Sequence, residues 1–121
     1  MAAFRMIVTD VDDSVAFYTI HLGFTLVEQY GPAMAILSRD DMTIWLAGPM
    51  ASASKPMPDG AKPVPGGWNR IVLTVDDLGA TVLRLHSAGV AFRNDILAGP
   101  GGQQVLLADP SGNLIELFEP T

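Results

Sequence analysis

Hydrophobic and polar positions along the chain form two runs with the same order of elements. Residues 3–8, AFRMIV, alternate as a strand does, with side chains falling on opposite faces in turn. TDVDD then offers helix N-cap residues ahead of SVAFYTIHL, where Val15, Tyr18 and Leu22 recur at helical spacing and Gly23 stops the helix. Residues 25–29, 33–37 and 42–46 read as three short strands separated by polar or Gly/Pro breaks. The second run begins with a strand at 69–75 and a cap at Asp76 and Asp77. A helix over 78–88 follows, stopped by Gly89, and then strands at 90–93, 103–108 and 114–118. DPSG (109–112) has the residues of a type I turn, and GPGG (99–102), leading into a strand rather than a helix, reads as a hairpin turn and not a phosphate loop.

The two runs align. Asp10 matches Asp77, Gly23 matches Gly89, and DMTIWL (41–46) matches GNLIEL (112–117), as an internal duplication would produce. The predicted fold is therefore α+β, with two tandem βαβββ modules whose curved mixed sheets form a cleft. Module 1 covers residues 1–47 and module 2 covers 68–121. The connecting stretch 48–67 holds five of the nine prolines and reads as an extended, semi-stiff linker, either a plain connector or an arm over a site.

Composition narrows the function. At 121 residues, 49% hydrophobic and 17% charged, the chain suits one domain with a real core. No apolar run approaches the roughly 20 residues that cross a bilayer, and the N-terminus lacks a signal-peptide pattern, so the expectation is a cytoplasmic protein with no membrane partner. A net charge of −6 with seven scattered Lys and Arg argues against nucleic acid. The absence of cysteine removes disulfides and thiolate metal sites.

Two motifs carry a resemblance. VTDVDDSVAFYTIHLGF (8–24) is similar to the first-module signature of the vicinal oxygen chelate superfamily, which includes glyoxalase I, bleomycin-resistance proteins, fosfomycin-resistance enzymes and extradiol dioxygenases. ILAGPGGQQVLLADPSGNLIELFEP (96–120) resembles that family's second-module ending. The resemblance implies a homodimer and a small-molecule ligand in the cleft. It does not specify a reaction, because one scaffold hosts several. Metal-using members draw ligands from the first and last strand of each module, and those positions fall here on Ala3, Trp45, Arg70 and Glu116. Alanine, tryptophan and arginine do not ligate a divalent ion, and arginine repels one. The expectation is thus a protein with no metal and no other cofactor. His21 and His86 lie late in the two helices, where a cation is favourable, and match no ligand position.

Strand parity then assigns the cleft. Arg70, Val72 and Thr74 face inward while Ile71, Leu73 and Val75 pack on a helix; Arg5, Ile7, Trp45, Glu116 and Phe118 join the inward set, and the resemblance to fosfomycin-resistance enzymes implies that Gln104 and Leu106 of the preceding strand do too. The candidate ligand-binding residues are Arg5, Trp45, Arg70, Gln104 and Glu116; no catalytic residue is assigned. Arg70 and Glu116 are expected either to pair in place of the lost metal, or to leave an arginine for an anion beside the Trp45 wall, or both. Trp68, which precedes the strand, is expected in the core, with a place on the cleft rim as the alternative, and Arg93, Asn94 and Asp95 form a polar rim with no role. The function expected is binding of a small anionic or amphipathic molecule. The alternative is a metal-dependent lyase, isomerase or dioxygenase with a metal site from unaligned residues or a partner chain.

Overall fold

The computed structural model describes residues 1–121, and their contacts divide them into two compact units, Met1–Gly66 and Gly67–Thr121. In the first, strand β1 (Phe4–Ile7) leads into helix α1 (Val11–His21), followed by β2 (Thr25–Tyr30), β3 (Met34–Arg39) and β4 (Met42–Ala47). The sheet order is β1-β4-β3-β2, with β1 parallel to β4 and the other pairs antiparallel.

The second unit repeats the plan. It runs β5 (Ile71–Thr74), helix α2 (Leu78–Ser87), β6 (Ala91–Phe92), β7 (Leu97–Gly99), β8 (Gly102–Ala108) and β9 (Leu114–Pro120). Its order is β5-β9-β8-β6, with β5 parallel to β9 and β7 added beside β8. The two topologies correspond strand for strand. The registers agree as well, since Arg5 opposes Trp45 where Val72 opposes Glu116. This α+β architecture has two helices and two mixed sheets, and no helix is long and apolar enough to cross a membrane.

Each helix is set by its cap. Asp10 and Asp77 have extended backbones, and their carboxylates accept from the amides of Asp13 and Ala80, both at 2.9 Å. Glu119 adds a bond in the second helix, accepting from the Leu78 amide at 2.7 Å. Because Asp10 is itself the cap, α1 begins at Val11, three residues before the expected SVAFYTIHL run. The buried seam is Val11, Ser14, Tyr18 and Leu22, with Phe17 beside it, and Val15 is only half-buried. Ser14 is tolerated inside because its hydroxyl donates to the Asp10 carbonyl. Tyr18 fills the centre, its ring edge-on to Phe17 and Phe24 and its hydroxyl on the Met6 sulfur.

On the sheets, Met6, Ile44 and Leu46 are buried in the first unit, and Ile71, Leu73, Val105, Leu107, Ile115 and Leu117 in the second. Arg5, Trp45, Val72 and Leu106 on the alternate positions keep exposure, as parity requires. At 114–117 in β9 both faces are closed.

The strand β7 is absent from the sequence reading. It forms because GPGG closes a tight hairpin, pairing Gly99 with Gly102, and the preceding Leu97 and Ala98 fall into register with Gln104 and Gln103. Gly102 has φ of +151°, and a Cβ there would run into the Glu119 carbonyl. The linker is less extended than expected at its start: a 3₁₀ turn at Ser52–Ser54 is tied to Gly48, whose carbonyl accepts the Ser54 hydroxyl at 2.7 Å. Gly48 is packed so closely that a Cβ would lie 2.8 Å from the Pro32 carbonyl oxygen.

The DPSG turn forms as predicted. The Gly112 amide donates to the Asp109 carbonyl at 3.0 Å, and the buried Asp109 carboxylate accepts from the amides of Ser111 and Asn113 at 2.9 Å each. Replacing Asp109 by alanine strands both amides, so Asp109→Ala should destabilise the protein by about 2 kcal/mol in urea unfolding. Asp109→Asn, which keeps one acceptor oxygen, should lose less.

Candidate functional site

The five candidate residues fall into two clusters, one on each unit. On the first, Arg5 on β1 and Trp45 on the adjacent β4 are register partners pointing to the same, half-exposed sheet face. The Arg5 guanidinium carbon lies 5.0 Å from the centroid of the Trp45 ring, a cation–π contact. Arg5 has no carboxylate partner. The indole Nε1 of Trp45 is buried and has no hydrogen-bond acceptor. An orphaned donor of this kind costs on the order of 1–3 kcal/mol.

On the second unit, Arg70 stands just before β5 and reaches across to Glu116 on β9. Its Nη2 and Nε both donate to Oε1 of Glu116, at 2.9 and 3.1 Å, and its Nη1 to the Trp68 carbonyl at 3.3 Å. The side chains are 28% and 11% exposed, so the pair is largely withdrawn from water. The expected Arg70–Glu116 pairing is therefore present and uses two of the guanidinium's nitrogens, while the third is held by the Trp68 carbonyl. Gln104 on β8 opposes Phe118 and lies on the face that Leu106 shares with Glu116, but makes no bond to either charged residue.

Two residues behave differently from the sequence reading. Trp68 is 66% exposed rather than in the core, and the Arg93 guanidinium lies 5.1 Å from its ring centroid. It sits outside because the strand begins only at Ile71, leaving residues 68–70 off the ladder that would have turned the ring inward. Asn94, given no role, has a structural one: its side-chain oxygen accepts from the Leu106 amide at 2.9 Å. No sequence signal marks either contact, since each joins segments that only the fold brings together.

Nowhere do three or more His, Asp or Glu side chains gather as a metal would require. His86 is exposed and His21 packs on the Phe17 ring. At the four positions that carry ligands in metal-using relatives, the only competent group is Glu116, and it is bonded to a cation. This donor set does not fit the family's divalent ion.

Against known proteins, the sequence matches the model of the Glyoxalase/Bleomycin resistance protein/Dioxygenase superfamily over residues 1–117, and the chain belongs to that family. No functionally curated protein matches it significantly. Among solved structures it is similar to TnmS3, an antibiotic-binding protein from Streptomyces sp. CB03234, with 26% identity, a TM-score of 0.72, and 100% of this chain and 97% of that one covered. It is also similar to lactoylglutathione lyase from Agrobacterium tumefaciens, at 19% identity and a TM-score of 0.75, covering 98% and 92%. The fosfomycin-resistance protein FosX of Listeria monocytogenes matches at 14% identity and a TM-score of 0.75, covering 100% and 93%. The last two likenesses are of fold alone.

The ion pair yields a double-mutant test. Arg70→Met leaves Glu116 charged and mostly buried without a partner, and should cost about 2 kcal/mol by urea unfolding. Arg70→Met combined with Glu116→Met should recover most of that loss, because an apolar pair of similar bulk removes the stranded charge.

Proposed function

We propose that this protein binds a small anionic or amphipathic molecule without a metal, and that Arg5 and Trp45 carry the recognition. The observation behind the reading is the combination at Trp45: a buried indole N–H without an acceptor, beneath a guanidinium without a counter-ion. A flat ligand bearing a carboxylate supplies what both groups lack. Its oxygens take the Arg5 charge and the indole proton, and its apolar body lies along the ring. Arg5 must shift to admit it, which an exposed arginine on an edge strand does readily.

The two arginines then have different roles. Arg70 is committed to Glu116 and to the Trp68 carbonyl, so its part is to hold the first strand of the second module in place of a metal. Gln104 and the rim of Glu116 are secondary polar contacts. The likeness to an antibiotic-binding protein supports binding as the activity. An enzyme of the metal-dependent kind lacks donors at the positions where relatives hold the ion.

The test uses a Trp68→Phe background, so that fluorescence reports on Trp45 alone. 1-Naphthoate should bind and perturb that emission, its neutral amide about tenfold less tightly, and Arg5→Gln should remove the preference for the acid. Equal affinity for acid and amide, or an Arg5→Gln variant that still prefers the acid, defeats the reading. Elemental analysis after incubation with Zn²⁺, Ni²⁺, Mn²⁺ or Fe²⁺ should show no stoichiometric metal; one tightly held ion per chain would restore the enzyme alternative.

A further inference from the structure

A hollow of about 240 Å³ lies within the first unit, at the end of β1, and neither Arg5 nor Trp45 lines it. One wall is Ile7, Val8 and Pro49; the other is the linker segment Pro63, Val64 and Pro65. Thr9, Ser54 and Lys62 add the polar part of the lining. For scale, an apolar cavity of roughly 150 Å³ takes benzene, so this one holds a body of roughly ten heavy atoms.

Three features distinguish it from a packing defect. The linker wall makes no hydrogen bond: residues 62–65 bond through neither main chain nor side chain, and two of the four are prolines without an N–H. That wall is therefore held by apolar contact alone, while the linker leading up to it is anchored, by Gly48 with Ser54 and by the Met57–Ala61 turn. Val64 is 69% exposed although it lines the hollow, an apolar side chain with its contact surface incompletely covered. Lys62 is exposed and has no carboxylate partner, although the chain carries net charge −6.

We propose that the linker closes a second small-molecule site, selective for a compact saturated monocarboxylate. Its apolar body fills the space between Ile7 and Val64, where the walls are aliphatic and offer no aromatic face to stack on, and its carboxylate meets Lys62. This site is separate from the one on Trp45, so either stands without the other. The arm of the linker is thus a binding element in its own right.

Cyclohexanecarboxylate and its neutral carboxamide are the probes, titrated into the full-length protein and followed by methyl NMR of Ile7, Val8 and Val64 and by the Trp45 indole signal. The acid should shift the three methyl groups and leave the indole unmoved, and the amide should do the same about threefold more weakly, as a solvent-exposed charge contact is worth. Lys62→Gln should bring the acid down to the amide's affinity without changing the amide's. Val64→Phe, which fills the hollow from an exposed position, should weaken both. Absence of methyl shifts at millimolar probe overturns the proposal. So does a response centred on the Trp45 indole and lost in Arg5→Gln, which would assign the acid to the other site and leave the proposed function standing.

Discussion

Each module has a single helix for a sheet with two faces, and this constraint governs the rest of the molecule. The helix closes one face with Tyr18 in the first unit and with Leu78 and Leu85 in the second, all fully buried. Every second residue of the strands then points away from the helix and is free to be something other than an apolar core residue. Arg5, Trp45 and Glu116 all stand at such positions, and Arg70 lies one residue before a strand. Chemistry is possible there because the neighbouring positions, Met6, Ile44, Ile71 and Ile115, supply stability on the helix side.

Away from the helices the two modules differ. In the second, a fork of donors on one carboxylate oxygen connects the strand's entrance to the last strand. In the first, an arginine lies on a tryptophan, and neither group's bonding capacity is exhausted. One pair is satisfied within its own module and the other is not; the duplication permits one of each.

Much of this was legible from the residues. Period-two alternation at 71–75 separated Ile71 and Leu73 from Val72, and the alignment of DMTIWL with GNLIEL placed Trp45 and Glu116 at equivalent registers, as the strand pairing shows. The Arg70–Glu116 contact followed from charge and parity. Boundaries were harder, since Asp10 could cap a helix starting at Val11 or lie in a longer polar lead, and only the extended backbone at Asp10 decides. Strand β7 was hidden because Leu97–Gly99 is too short and too Gly-rich to show alternation, and it exists through its hairpin partner. Trp68 was misassigned to the core on hydrophobicity alone, whereas the strand begins too late to turn it inward. The linker hollow has no sequence signature, being made where KPVP returns to the end of β1.

The fork between Arg70 and Glu116 also bears on how such a protein changes over generations. Histidine in place of Arg70 loses the reach and the parallel donors that hold Oε1, so a first step toward a metal site leaves a carboxylate enclosed before any ion can be held. Ala3 and Trp45 would have to change as well before the ion could compensate. The ion pair therefore resists change at either of its ends, because each single replacement strands a group that the other now satisfies.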